Sequence, residues 1–554
     1  MFCFCTAKLQ YFCQIAAFRP NTKRALWREA SPPHRPKTPF LSDFFYIFAK
    51  KITKIHKKSD NFFAIRLKMC NFAKNYFFKM KQILIAREKE CERLKACMES
   101  DQSEFVVVCG RRRVGKTYLV ECFFNRTYDF SYVGGHNLSS KLQLRNFAKA
   151  LKKYANMSKQ PVFENWFDAF DALEEYIETI DEDRKKTIFI DEMPWIDTQK
   201  SDFVAALENF WNGWANRRTD ILFVASGSAT SWMADNIEEN QGGLHARTTA
   251  KLFLKPFNLN ETAEFLRIKG FCWDHYQILQ CYMLTGGVPY YLKMLDKKLS
   301  CGQNTDILCF RETGDLRNEF AELYSALFKN ADKYIEIARL LFNKEQGLTK
   351  QEINKEVNLN AETIGKYLRN LKLCNFISEG ARYGSKVPVY RLVDFYSIFY
   401  FKFMEGQAIL DENWWIHNMS SPAVLSWMGH TFEIICLQHY RQILKALGIS
   451  GMANSVATWR YKGDENNSGA QVDMTIDRAD RMIHLCEMKF CQDKFRITDD
   501  YVARLRQRRQ TFIDAKKPKK AVVHTFVTTF GLANPYYSSF VHSEVTMDDL
   551  FLPL

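Results

Sequence analysis

Gly110-Arg111-Arg112-Arg113-Val114-Gly115-Lys116-Thr117 is the stretch on which the fold of this 554-residue chain turns. It fits the pattern G-x-x-x-x-G-K-[ST]. It follows Phe105-Val106-Val107-Val108-Cys109, an apolar, β-branched run of the length of a buried parallel strand. Beyond it, Tyr118 to Phe124 can open a helix. A phosphate-binding loop needs that strand–loop–helix context, because loop N–H groups and the helix N-terminus together make a concave anion site. Gly110 and Gly115 let the backbone come close to phosphates, Lys116 reaches the β- and γ-phosphates, and Thr117 is a Mg²⁺ ligand. The sequence therefore predicts an ATP site formed by Gly110, Arg111, Arg112, Arg113, Val114, Gly115, Lys116 and Thr117.

Working outward, Thr187-Ile188-Phe189-Ile190-Asp191-Glu192 is an apolar strand ending in two acids. Asp191 is expected to hold Mg²⁺ and Glu192 to polarise the attacking water. Both motifs lie at strand C-termini, the edge at which an open α/β sheet binds its ligand. A third strand, Ile221 to Ala225, ends in Ser226-Gly227-Ser228, where Ser228 can sense the γ-phosphate or form an ordinary turn. Gly242-Gly243-Leu244-His245-Ala246-Arg247 precedes the strand-like Lys251 to Leu254. Arg247 is the candidate to act on the γ-phosphate of its own or a neighbouring subunit.

The length predicts two to four domains, and the composition, 47% apolar and 25% charged, is that of a globular protein. The net charge of +15 is unevenly placed. Residues 1–80 hold 16 Lys and Arg against 3 Asp and Glu, a net of +13, which leaves about +2 for the rest. That segment has 13 phenylalanines and no sustained period of 2 or 3.6, and Lys8 interrupts the apolar stretch a signal peptide would need. It reads either as a basic arm for nucleic acid or, preferably, as sequence upstream of a true start at Met80. No run of about 20 apolar residues predicts a membrane span. The 16 cysteines form no C-x-x-C pair, which fits reduced thiols in a cytoplasmic protein. There is no internal repeat or low-complexity stretch.

Two further segments carry patterns. Thr349 and Asn360 are candidate N-caps of two short helices, the second with Ile364, Tyr367, Leu368 and Leu371 on one face. With strands expected at 375–378 and 387–392, this is a helix-turn-helix with a wing. Thr363, Lys366 and Arg369 could enter a DNA groove, or the module could be a rigid connector. Farther on, Gln471 to Ile476 alternates as a half-buried strand, and Met482 to Phe490 is a second strand after a turn. A hairpin centred near 479 or 480 brings Asp473 to the face that carries Glu487 and Lys489, and Glu433 on an upstream helix is a further acid.

The ordered set of Gly110 to Thr117, Asp191-Glu192, Ser226-Gly227-Ser228 and Thr285-Gly286-Gly287-Val288-Pro289-Tyr290-Tyr291 resembles the archaeal-type ATPases, on the AAA+/STAND side of the P-loop NTPases. Ala86 to Glu90 is similar to that family's lead-in segment alongside the adenine, and the Gly-Val-Pro element to its lid motif. The resemblance implies an α/β P-loop core over residues 80–255, a helical lid over 256–329, a winged helix-turn-helix over 330–400 and a C-terminal domain over 401–554. A second lid sensor arginine is not evident, so the coupling of lid to nucleotide is left open. The last domain resembles the PD-(D/E)xK restriction-endonuclease-like fold, with Val472 where the motif has proline. That implies a second divalent-metal site on Asp473 and Glu487, with Lys489 serving the transition state. The expectation is an ATPase coupled to a nuclease-like domain acting on DNA, as a possible homo-oligomer and away from membranes. The alternative is a STAND-like regulatory switch whose C-terminal fold only binds a partner. A third reading, a remodelling ATPase, has no recognisable substrate-gripping pore loop behind it.

Overall fold

The computed structural model describes residues 84–228, 232, 247–328, 330–406, 411–463, 469–533 and 540–554, all within one compact unit, Leu84–Leu554. The expected extension over 1–79, the start at Met80 and the run from Gly242 to Ala246 lie outside these residues.

The first sheet has five strands: β1 (Glu104–Gly110), β2 (Phe130–Val133), β3 (Lys186–Asp191), β4 (Ile221–Ser228) and β5 (Ala250–Leu254). Their order is β2-β3-β4-β1-β5 and every pairing is parallel. All residues of β1, β3 and β4 are buried, as continuous apolar runs between two helical layers require. One face packs an aromatic core that includes Phe105, Phe147, Trp166, Phe170, Phe210, Trp211 and Phe223. The other packs Val106, Val108, Leu119, Val120, Leu222 and Val224 under the helix Glu88–Met98, which contributes Leu94 and Cys97. Each such fully buried large side chain stabilises the fold by roughly 1.5–3 kcal/mol. The structure extends β4 through Ser226, Gly227 and Ser228, beyond the strand end expected at Ala225.

The segment expected as a lid begins with the helix Leu259–Lys269, closed at its start by a capping box between Asn258 and Glu261, and continues through His275–Thr285. Gly287 shows why its motif needs glycine. Its φ is +68°, and a Cβ there would lie 2.0 Å from the Phe257 carbonyl oxygen. Helices Ala331–Asn343, Lys350–Val357 and Ala361–Leu373 follow, then the antiparallel pair β6 (Ile377–Gly380) and β7 (Val389–Leu392). Thr349 and Asn360 cap as expected: Thr349 exchanges bonds with Glu352, and Asn360 Oδ1 accepts the Thr363 N–H at 2.8 Å. The helix Phe395–Phe403 runs across the boundary expected at residue 400. Its Phe399 and Phe403 join Trp414, Trp415 and Trp427 in an aromatic cluster, so residues on both sides of 400 share one core.

The second sheet comprises β8 (Ala453–Tyr461), β9 (Ala470–Arg478), β10 (Met482–Lys489), β11 (Ala521–Thr528) and β12 (Val541–Thr546), ordered β12-β11-β10-β9-β8. The β8–β9 and β9–β10 pairs are antiparallel, whereas β10–β11 and β11–β12 are parallel. Parallel neighbours need a crossover, supplied between β10 and β11 by the helix Asp499–Lys516. The register Ile483↔Asp477 to Cys486↔Met474 centres the hairpin at residue 480 and brings Asp473 opposite Glu487.

Candidate functional site: two acid pairs at two sheet edges

At the carboxyl edge of the first sheet, β1 runs into the 110–117 loop and the helix Lys116–Phe123. A Cβ at Gly110 would stand 2.4 Å from the Leu254 carbonyl oxygen, and Gly115 turns the chain at φ +92° with open space around it. Lys116 Nζ lies 3.3 Å from Gly110 O, 3.2 Å from Arg111 O and 3.4 Å from Ser228 Oγ. Burial lowers its pKa, and Glu192 and then Asp191 work against that. The Thr117 hydroxyl donates to Asp191 Oδ2 at 2.8 Å, while Asp191 Oδ1 accepts the Glu192 N–H at 3.0 Å and the Ser226 hydroxyl. Glu192 sits at φ +49°, with its Oε2 buried and without a hydrogen-bond partner. Burial raises its pKa, offset first by Lys116.

These residues fit the expected groups. A hydroxyl and a carboxylate oxygen 2.8 Å apart are the hard-oxygen donors that Mg²⁺ takes, and an orphaned acid oxygen beside them suits a water. Thr117 and Asp191 would hold a Mg²⁺ whose charge would offset that of the bound phosphates. The remaining expected residues divide. Ser228 is beside Lys116. Arg112 is half-buried, and its charge is a minor opponent, after Lys116, of the burial that raises the Glu192 pKa. Val114, 1% exposed, is a packing residue of the core. Arg247 is exposed just before Ala250, and Ala250 pairs with Val106 at the start of β1. It therefore stands at the sheet edge away from the loop of its own chain.

The sequence reading missed a supporting residue. Gln143, fully buried, bonds Gly135 O at 2.7 Å, Trp195 O at 2.8 Å and the Tyr132 hydroxyl at 2.7 Å. It ties the turn after β2 to the turn after Glu192. A Cβ at Gly134 would meet Glu192 O at 2.6 Å, so the Gly134-Gly135 pair was the available signal.

The second acid pair lies in the C-terminal sheet. Lys489 Nζ is 3.6 Å from Glu487 Oε2 and 4.0 Å from Asp473 Oδ2, so the three expected residues converge. Asp473 Oδ2 accepts the Met488 N–H at 3.1 Å. Burial raises the Asp473 pKa, Glu487 adds to that, and Lys489 opposes it. Glu433, from the helix Pro422–Gln438, is pushed up to about 8 by burial and then by Asp473. Glu487 is not open: Tyr501 donates to its Oε2 at 2.9 Å and Arg508 pairs with its Oε1. Both come from the crossover helix, a tertiary neighbour the sequence did not reveal. The acids fit a hard cation in type, but one arriving at Glu487 must displace Arg508. Among the described residues, no group of three or more His, Cys, Asp or Glu is arranged to hold a metal ion.

On the helix that carries Arg508, the Arg504 guanidinium lies over Tyr501 and Arg506 over Phe540. A cleft of about 580 Å³ near Arg184, Lys186, Arg217 and Asp220 lies at the amino edge of the first sheet, away from the loop. Several of its charges pair with one another, as Lys186 and Asp220 do at 2.7 Å and Arg218 and Asp220 at 2.8 Å. No helix among the described residues is long and apolar enough to cross a membrane.

Residues 84–295 match the family model of an ATPase domain predominantly from Archaea. An uncharacterized protein of Methanocaldococcus jannaschii is 23% identical over 393 residues, covering 69% of this chain and 83% of its own length. Similar solved structures include a Walker-type ATPase of Pyrococcus abyssi, at 16% identity and TM-score 0.43, covering 57% of this chain and 95% of that one. Another is the ORC2 protein of Aeropyrum pernix, at 14% identity and TM-score 0.34, covering 64% and 96%. The matched family segment contains the phosphate loop, Asp191-Glu192 and the Gly-Val-Pro element. It supports a P-loop ATPase domain.

Proposed function

We propose that the chain binds Mg·ATP at residues 110–117 and hydrolyses it, and that the C-terminal sheet is a PD-(D/E)xK-like domain acting on DNA with a divalent metal. The first half of the proposal is carried by the Thr117–Asp191 contact at 2.8 Å beside the unpartnered Glu192 Oε2. Lys116 would hold the β- and γ-phosphates, Thr117 and Asp191 the Mg²⁺, and Glu192 would take the proton of the attacking water. The second half is supported by the convergence of Asp473, Glu487 and Lys489 on one face. There Asp473 and Glu487 would supply the metal's oxygen ligands, and Lys489 would offset charge as the phosphodiester reacts. Thr363, Lys366 and Arg369 of the winged helix would enter a DNA groove, and the basic face of Arg504, Arg506, Arg508 and Arg509 would meet phosphates, although Arg508 is held by Glu487. Binding should therefore weaken with salt.

One observation favours a second reading. Arg508 already pairs with Glu487, as it would in a fold kept for binding a partner under the control of an ATP switch. Single-turnover ATP hydrolysis, with and without DNA, tests the first half. Plasmid and single-strand cleavage over several metals, by the full chain beside Asp473→Ala, separates the two readings. Equal background nicking by both proteins leaves only the switch.

A further inference from the structure

The phosphate loop is roofed by the segment that follows the lid. Arg111 is 1% exposed, Lys116 6% and Asp191 3%, so the groups that phosphate and metal must reach are buried. The Arg111 guanidinium pairs with the Asp394 carboxylate and lies 4.9 Å over the Phe376 ring. Its Nε and Nη2 are buried and have no hydrogen-bond partner. The other oxygen of Asp394 accepts the Ser397 N–H at 3.0 Å and the Ser397 hydroxyl at 2.6 Å, which caps the helix Phe395–Phe403. Burial pushes the Cys374 thiol up, and the charges of Arg111 and then Lys116 oppose that rise. Arg113 makes a parallel link, 2.6 Å from Glu319, which also accepts the Tyr291 hydroxyl at 2.7 Å.

A guanidinium in a dry interior needs a counter-charge, and a planar fork with two unused nitrogens is shaped for a phosphate as well as for a carboxylate. Burial pulls the Arg111 pKa down, and Asp394 more than restores it. Resting on the ATP reading above, we infer that Asp394 and the terminal phosphate of ATP compete for Arg111, so that ATP binding unlatches the Cys374–Asp394 roof from the loop. Asp394 is then a positioning residue. It sets nucleotide affinity by holding Arg111 on the roof until a phosphate takes its place. ADP, which lacks the terminal phosphate, leaves the latch closed more of the time. The competition thus couples the segment that follows the lid to the nucleotide without a sensor arginine.

The test uses the full chain, a fluorescent N-methylanthraniloyl ATP to follow binding, and alkylation of Cys374 by N-ethylmaleimide mapped on its peptide. Saturating ATP should raise the alkylation rate of Cys374 about tenfold or more, while the buried Cys436 and Cys486 stay unchanged. Asp394→Asn should react rapidly at Cys374 without nucleotide and bind ATP about tenfold more tightly, a direction that mere damage to the helix cap would not produce. If Asp394→Asn fails to fold, the wild-type alkylation decides alone. ATP bound with Cys374 still protected, or a folded Asp394→Asn that binds ATP no more tightly, overturns the latch and leaves the ATP site standing. Failure of the wild type to bind ATP removes the ATP reading itself, and the latch with it.

Discussion

The two acid pairs use the same residue types and differ in what surrounds them. At the first sheet, Asp191 meets a hydroxyl from the phosphate loop and Glu192 keeps one oxygen without a partner. At the second, Glu487 has both oxygens engaged, one by Tyr501 and one by Arg508, and Asp473 is tied to the Met488 N–H. Neutral donors and a gap leave the first pair able to take a cation. A resident guanidinium makes the second pair choose between Arg508 and a metal. Carboxylates at a strand end therefore mark a site only when their cationic neighbours are known.

The largest expected effect tests the independence of the two pairs. Glu192→Gln should slow single-turnover ATP hydrolysis by on the order of 10²-fold or more with nucleotide binding retained. Asp473→Ala should leave that rate within about twofold. A normal rate in Glu192→Gln removes that residue from the chemistry, and a collapse in Asp473→Ala makes the two sites one system.

The next tests the joint between the regions. His439 is buried, accepts the Leu259 N–H at Nε2 over 3.1 Å, and is pushed down to about 4 by that burial. The unfolded chain binds this proton below about pH 6.5 and the folded chain only near pH 4. Its contribution is intact above about 6.5 and is lost as the pH falls toward 4. Urea unfolding should show about 2 kcal/mol less stability at pH 5 than at pH 7 from this group. His439→Gln should flatten that part of the pH slope. An unchanged slope would free the Leu259 contact of any role in acid sensitivity.

Smaller, and aimed at the contrast itself, Arg508→Ala should raise Mn²⁺ affinity about tenfold by calorimetry, because the competing cation is gone. Identical affinity in the wild type would mean that Arg508 does not guard Glu487. Tyr501→Phe should cost about 1 kcal/mol of stability in thermal unfolding and change metal affinity by only a few-fold. A larger metal effect than that of Arg508→Ala would reverse the ranking of the two partners.

The strands, the loop and the caps were legible in sequence because each depends on neighbours along the chain. β-branched runs made β1, β3 and β4, Gly115 met a local demand for positive φ, and Thr349 and Asn360 satisfied N–H groups three residues on. The hairpin register was legible too, since a tight turn at 479–481 sets which residues face each other. Arg247 shows the limit: its sequence position suggested a contact with the γ-phosphate of its own or a neighbouring subunit, and the parallel pairing of β5 carries it to the edge away from its own loop. Asp394 was hidden for the same kind of reason, lying 283 residues from Arg111 with nothing local to mark the pair. Gln143 and Arg508 were hidden likewise, because a buried polar residue is read correctly only when its partners are known. The sequence alone determined an α/β phosphate-loop core and a second acidic sheet, since periodicity, glycine sterics and strand-end acids act over short spans. Tertiary structure decided which charges meet: burial makes every guanidinium and carboxylate find a counter-charge, and in a folded chain that partner comes from wherever the packing brings it.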